Sequence, residues 1–489
     1  MIQRTNAATA RWRSTANAEV KGSQRPRLGG RSPRPGALPG DTWHLDLLRL
    51  SIFALILLSL SRVHMYLGLG RLRPALLLAV TAMAYAFLNP RLVNTGRLIR
   101  HWPTRVLVSL AVLACLSAAF GLSLGGSAKF ILQSYSKVFI LAFLLIAAIR
   151  GPRDLRFFTW AYVVSCGVLA YFAMFVFGLK VETDTFARLN DLYTFDANDI
   201  NCILMSGLPL TILCYQSSRM KGKILASLVL VGIGATVARS GSRGGFVGLV
   251  VVAALLLFFL PRVSVIKRFG FMFAVAMGLL LFTPPGYWEQ MATIGQPKED
   301  YNWSAYYGRK QLAQRGLGYM IRYPVFGLGV NNFARAEGTI SERAQNFIDR
   351  PGVRIRWRPA HNSFVQVGSE MGVPGLLLWT SLIVVGFFGM RRLRHRLPGR
   401  WEKGDPDQRF VYYMTIYLPV SLVGFAVTAF FVSFAYVDVI YILAAFLTGV
   451  YVSAENLLYR EPRPVGPRPQ GPAPRLRASA HARPVRAYR

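Results

Sequence analysis

The chain has little of what ties a soluble or secreted domain together. It holds four cysteines in 489 residues, and Cys115, Cys166, Cys202 and Cys214 all fall inside apolar blocks. None belongs to a C-x-x-C pair or sits by a histidine cluster, which excludes a disulfide framework and a zinc site. Acidic residues are scarce, 22 against 57 lysines and arginines, so the formal net charge is +35. Only 16% of residues are charged while 53% are hydrophobic, and the mean hydropathy is +0.36. Those proportions exclude an ordinary soluble globular domain. Residues 1–44 have no early apolar run, so a cleaved secretory signal is not expected and the first apolar block reads as an uncleaved anchor.

What is present is a series of apolar runs between charged or Gly/Pro punctuation. About twelve approach the ~20 residues a bilayer requires, near 47–61, 73–89, 105–122, 131–149, 157–179, 200–217, 224–238, 246–260, 269–283, 373–390, 410–433 and 438–456. The expected fold is an all-α polytopic membrane protein. An even number of spans puts both tails on one side, and both are rich in arginine. The positive-inside rule makes that side cytoplasmic. Alternate loops agree, from Arg91, Arg97 and Arg100 to the basic run between Arg391 and Lys403, whereas Arg62, Arg71 and Arg73 break the rule by falling outside.

The expected organisation is a disordered basic tail (1–46), nine spans (47–283), a long outer loop with its own helices (284–372), three spans (373–456) and a second disordered Pro/Arg-rich tail (457–489). Low apolar content and one sign of charge leave the tails nothing to offset the entropy of ordering. They suit contact with anionic membrane lipids and the fixing of topology. Nucleic acid is not an expected partner, because no aromatic interleaving or recognised fold accompanies the arginines. The outer loop is basic too: up to residue 360 it holds eleven lysines and arginines against six acids. An outward loop that breaks the charge bias points to an anionic substrate at the membrane surface, or to attraction by lipid headgroups alone.

Three constellations carry chemistry. The first is Arg239-Ser-Gly-Ser-Arg-Gly-Gly245 between the seventh and eighth spans, where small residues admit close backbone approach and Arg243 matches phosphate oxygens. It lacks P-loop spacing. The second runs from Tyr306 to Pro324, predicting a helix of about four turns with Arg309 near its start, followed by the turn Val325-Phe-Gly-Leu-Gly-Val-Asn-Asn332. The third is Pro359-Ala-His-Asn-Ser-Phe-Val-Gln-Val-Gly-Ser-Glu-Met-Gly-Val-Pro-Gly375. Ser363 with Gln366 reads as a capping box opening a helix that stops at Gly372 before Pro374. His361 then lies just ahead of a helix N-terminus, where a neutral imidazole beside an anion suits a general base. The unremarkable alternatives are a hairpin with snorkelling arginines, an interfacial helix and a surface histidine.

In this order and separation the three segments resemble the O-antigen ligase and Wzy-type polymerase superfamily of bacterial envelope glycan assembly. The resemblance rests on Ser242-Arg-Gly-Gly245, on Arg309 ahead of Tyr323-Pro-Val-Phe-Gly-Leu-Gly329, and on His361-Asn-Ser-Phe with Glu370-Met-Gly-Val-Pro-Gly375. A weaker match is Phe195-Asp-Ala-Asn-Asp199, where the family often has proline in place of Ala197. What the resemblance implies is a GT-C-like glycosyltransferase of the inner membrane, acting at the periplasmic face without cofactor, nucleotide sugar or essential metal. The implied donor is a glycan on undecaprenyl pyrophosphate; the acceptor is lipid A-core, another lipid-linked glycan or a protein. Arg243 and Arg309 would contact the pyrophosphate and His361 would activate the acceptor hydroxyl. Arg239, Ser242, Gly244, Asn198, Asn362 and Arg315 would line the substrate, with Arg315 the substitute for Arg309 under another helix register. Glu370 is expected to hold the loop rather than act as a base.

A polytopic lipid or polysaccharide transporter is the competing reading. It needs polar groups along a path through the membrane, and Lys137 is the main charge found inside a span. An oligosaccharyltransferase of the tryptophan-tryptophan-aspartate type lacks its motif here. Ligase and polymerase share the donor motifs, so these residues leave that choice open.

Overall fold

The computed structural model describes residues 43–93, 99–183, 186–191, 194–259, 264–295, 308–347 and 357–461. The arginine-rich tails and the loop residues Lys298, Glu299, Asp300, Asp349, Arg350, Arg354 and Arg356 lie outside these. Every one of the twelve apolar runs falls on a helix. They are α1 (Leu47–Ser61), α2 (Pro74–Leu88), α3 (Trp102–Phe120), α4 (Leu124–Ala148), α5 (Pro152–Val176), α6 (Ala197–Ser217), α7 (Met220–Ser240), α8 (Arg243–Phe259) and α9 (Val265–Phe282). The outer segment follows with α10 (Tyr287–Ala292), α11 (Arg309–Arg322), α12 (Phe333–Thr339) and α13 (Glu342–Phe347). The last three spans are α14 (Ser363–Arg396), α15 (Pro406–Ala429) and α16 (Asp438–Arg460). Nine helices among the described residues are long and apolar enough to cross a membrane. The protein is an all-α polytopic membrane protein apart from one antiparallel hairpin, β1 (Leu179–Thr183) with β2 (Phe186–Leu189), paired Leu179 to Leu189 and Lys180 to Arg188. That hairpin was not anticipated: its first residue closed the fifth apolar run.

α6 is the axle of the bundle, with 94% of its apolar window enclosed by its neighbours. Close approach around it is bought by glycine: a Cβ on Gly424 of α15 would stand 2.6 Å from the Met205 carbonyl oxygen, and one on Gly245 of α8 would stand 2.5 Å from the Asn201 side chain. Small residues serve this purpose between membrane helices because lipid supplies no hydrophobic drive to hold them together. Asn201 is buried and gives its amide hydrogens to Ala197 O (2.6 Å) and Ser240 Oγ (2.8 Å), which sews α6 to the end of α7.

One face of the bundle is closed by ions. Arg49 of α1 donates through Nε to Asp154 of α5 at 2.7 Å and also pairs with Asp46. Arg150, in the α4–α5 connection, pairs with Asp46 at 3.3 Å, and its carbonyl accepts from Asn456 of α16 at 2.6 Å. The start of α1 and the end of α16 therefore share a face, as an even number of spans requires. Arg49 and Asp154 are both buried. Removing Asp154 leaves buried Arg49 with Asp46 alone, so Asp154→Ala should cost less than the ~3–5 kcal/mol of a charge stranded outright, and the double change Arg49→Met with Asp154→Leu should recover most of the loss. Melting of the detergent-solubilised protein checks this; equal losses in single and double variants would contradict the pairing.

Candidate active site

The opposite face gathers the three constellations. Asp196 caps α6, accepting from the Asn198 and Asp199 amides, and Asp199 returns a bond to the Asp196 amide. Asn198 Oδ1 then accepts from Ser242 Oγ at 2.7 Å, while Ser242 Oγ accepts from the Gly245 amide at 3.0 Å. The α7–α8 turn, with Gly241 at φ 61°, is thus pinned to the cap of α6. Arg243 opens α8 and donates through Nη1 to Thr293 Oγ1 at 2.9 Å. Arg239 ends α7 with its Nε buried and without a hydrogen-bond partner. Asn198 and Ser242 are consumed by this internal bond, so they shape the turn for whatever Arg239 and Arg243 meet.

The glycine-rich run after α11 is explained by a backbone embrace. Leu328 N donates to Ser369 O (2.8 Å), Gly329 N to Glu370 O (3.1 Å) and Val373 N to Pro324 O (2.8 Å). Gly372 breaks α14 at φ 69°, and a Cβ there would stand 2.5 Å from Pro324 O, so only glycine fits the crossing. The expectation that a helix stops at Gly372 holds as a kink, since α14 resumes and runs on to Arg396. Glu370 is buried and accepts from the Asn331 amide (2.8 Å), the Phe333 amide (2.8 Å) and Tyr436 Oη (2.7 Å). Its oxygens hold the loop.

Ser363 is not the helix cap. Asn362 caps α14 by accepting from the Phe364 (2.9 Å) and Val365 (3.1 Å) amides. Ser363 Oγ is spent instead on a turn that the sequence reading had counted as membrane span: α15 ends at Ala429, and Ser363 Oγ donates to Val432 O (2.8 Å) and accepts from Phe434 N (2.8 Å). The backbone after Ala429 leaves the helix because its partners lie across the bundle. Ser433 Oγ accepts from the His361 amide at 2.9 Å, fixing His361 at φ 48°, a left-handed conformation that a non-glycine residue keeps only when its surroundings impose it. Phe431 lies between the two arginine-bearing segments: a Cβ on Gly244 would stand 2.8 Å from its ring, and the Arg309 guanidinium sits 5.6 Å from its centroid. Phe431, Ser433 and Tyr436 were therefore missed, and a Phe-Phe-Val-Ser-Phe-Ala-Tyr run closing a span carries no signal of its own.

Burial pushes the His361 imidazole down to about 4, the Arg309 guanidinium adds to the effect, Arg358 and Arg188 contribute, and Asp196 opposes them. These charges share one electrostatic neighbourhood, so His361 is neutral across the physiological range. Arg62 belongs to it as well: its guanidinium lies 5.1 Å from the Phe195 ring, beside the α6 cap, with Nε buried and lacking a partner. Its breach of the positive-inside pattern was the signal. Arg315 differs. It forms a bidentate pair with buried Glu337 (Nε to Oε1 2.9 Å, Nη2 to Oε2 2.7 Å), which also accepts from Tyr319 Oη at 3.1 Å. That pairing makes Arg315 a brace between α11 and α12 rather than a substrate ligand. The result is a surface of arginines around a neutral imidazole, suited to an anion beside a nucleophile that must lose a proton.

Replacing Glu370 by alanine leaves two loop amides without an acceptor, at about 1–3 kcal/mol for each buried group stranded. Glu370→Ala should therefore loosen residues 324–333 to limited proteolysis, and Glu370→Gln, which retains an acceptor oxygen, should loosen them less. Equal cleavage in both variants would show that the carboxylate does not hold the loop.

A comparison with curated proteins gives no match to the chain. The sequence model of the O-antigen ligase family matches residues 226–380. Arg239, Arg243, Arg309, His361 and Glu370 all lie within that stretch, and the segment of the O-antigen ligase and Wzy superfamily is thus present in this membrane protein, as its motifs implied.

Proposed function

We propose that the protein is an inverting glycosyltransferase that moves a glycan from undecaprenyl pyrophosphate to an acceptor hydroxyl at the periplasmic face of the inner membrane. The observation that carries this reading is the convergence of Arg309 and His361 on the turn 430–436, against the Arg239–Gly245 turn; Arg239, Arg243, Arg309 and His361 lie within the family-matched stretch and the turn 430–436 beyond it. Among the described residues the cations around His361 stand together at one end of the bundle, which favours transfer over transport.

In this mechanism Arg243 and Arg309 bind the pyrophosphate. The acceptor oxygen attacks the anomeric carbon from the face opposite the leaving group, and its proton passes to the His361 imidazole. The bond from the anomeric carbon to the phosphate oxygen breaks, and undecaprenyl pyrophosphate leaves with the electron pair. Preorganised donors at a developing charge contribute a few kcal/mol each, and a positioned base about 10²- to 10⁴-fold. The arginines also govern the base. Burial and, after it, the Arg309 charge make the imidazole a weak base; a bound pyrophosphate offsets part of that positive field and strengthens it, so proton abstraction is tied to donor occupancy.

Arg243→Ala, Arg309→Ala and His361→Ala should each lower transfer by about 10²-fold or more while leaving membrane insertion intact. The envelope glycans of a deletion strain carrying each variant report it. Full-length polymer stranded on the lipid donor identifies a ligase, single repeat units in place of polymer a polymerase, and an unchanged profile would reject the reading.

The imidazole supplies a second test. With its free-enzyme value lowered to about 4, the acid limb of kcat/KM should fall well below the ordinary histidine range near 6.5. Removing a positive neighbour raises an imidazole pKa, so Arg309→Lys should leave the limb in place and Arg309→Gln should move it upward. A limb near 6.5 in the wild type would contradict the electrostatic coupling.

A further inference from the structure

α6 and α7 form an antiparallel hairpin whose turn lies at the far end from the site, 21 helical residues away on each arm, or about 30 Å. There the surface opens into a cleft of about 360 Å³ lined by Trp160, Ser218, Arg219, Lys221, Gly222 and Leu225. Arg219 and Lys221 are exposed. A nearby acid is already committed, because Asp407 is held by Arg153 (3.4 Å) and by Arg156 (3.0 Å), one turn before Trp160 on α5. Gly222 gives the cleft its floor: a Cβ there would stand 2.6 Å from Ser218 Cβ and 3.4 Å from Trp160 Cζ2. Arg219 caps α7 without offering a side-chain acceptor to the helix's first amides, so their partial positive charge adds to that of the two side chains. Lys223 stays close by, over the Tyr215 ring at 5.8 Å.

Along α7, towards the bilayer interior, Leu225, Leu228 and Val231 remain exposed at three-residue spacing and form an apolar stripe beginning at the cleft. Two cations, an indole and an apolar stripe leading away match the two halves of one molecule. A soluble anion would use the cations and leave the stripe bare.

We propose that this cleft is a binding site for an anionic phospholipid of the leaflet opposite the active site, with the phosphodiester at Arg219 and Lys221, the glycerol backbone against Trp160 and an acyl chain along Leu225, Leu228 and Val231. The site is independent of the glycosyltransferase reading. Its occupant clamps α5, α6 and α7 together at the end remote from the α6 cap and the α7–α8 turn. Basic pockets between membrane helices take lipid headgroups by the same physics, roughly fivefold in affinity for each cation near the surface.

The full-length protein in phosphatidylcholine nanodiscs, titrated with phosphatidylglycerol and followed by native mass spectrometry and melting, tests the site. The wild type should retain phosphatidylglycerol in preference to phosphatidylcholine and melt higher as it binds. The double variant Arg219→Gln with Lys221→Gln should bind it about 25-fold more weakly, the product of two such factors. It should still melt as the wild type does in phosphatidylcholine alone, since both side chains are exposed. Arg392→Gln, which removes an exposed charge from the same face, should bind as the wild type. Equal weakening in Arg392→Gln would reduce the effect to surface charge, equal retention of phosphatidylcholine would remove the headgroup, and displacement by inorganic phosphate at comparable concentration would make this a soluble-anion site. Each of those three results overturns the proposal.

Discussion

The arrangement depends on one short turn, residues 430–436, being pulled out of helix by partners on other segments. Its backbone and side chains meet Ser363, His361, Gln366 and Glu370 by hydrogen bonds, and its rings meet Phe195, Phe364, Gly244 and Arg309. Helical geometry could not supply this. A continuous α15 would hold its own amides and carbonyls, and α14 would begin with Ser363 Oγ and Gln366 unanswered. Ending the helix at Ala429 exchanges a few intrahelical bonds for a set that crosses the bundle, and it leaves His361 bonded to the same turn whose Phe431 ring meets Arg309.

The glycines follow from that constraint. Once the loop after α11 must pass over the break in α14 closely enough for three backbone hydrogen bonds, Gly327 and Gly372 cannot carry side chains, because a Cβ at either would meet backbone atoms at 2.4 to 2.5 Å. Gly244 and Gly245 are set by Phe431 and Asn201 in the same way. The motifs are therefore largely records of contact distance. Among them Arg243, Arg309 and His361 are ionisable side chains that the crossings hold in place.

This division explains what the sequence made legible. Apolar runs report burial or lipid exposure directly, so all twelve fell on helices, and Arg309 was placed at the start of a helix that ends before Pro324 because proline and glycine act locally. Arg62 was visible as a charge on the unexpected side. The Ser363 cap was misassigned because Asn362 and Ser363 have equal local claims to the position, and only Val432 and Phe434, about seventy residues away, decide between them. The turn 430–436 was hidden for the same reason, and the β-hairpin for a different one. The turn is apolar enough to pass as the end of a span and is taken out of helix by distant partners, whereas the hairpin is two short strands that pair with each other after a run that ended at Leu179.

Two of the three arginines of α11 show how much a long-range partner decides. Arg309 and Arg315 are alike in sequence, both on one helix in a basic outer segment. Glu337 takes Arg315 in a bidentate pair, with Tyr319 on the same carboxylate. A buried pair of that kind fixes the rotation of α11 about its axis, because a turn of the helix would strand Glu337 in a buried position. With the helix held, Arg309 at its first position faces Phe431 and lies close enough to His361 to depress its pKa. One arginine is neutralised so that the other can be aimed. The positive field at the imidazole is then a consequence of where the single acid of α12 was placed, and any change of charge at Arg309 reaches His361 through that same geometry.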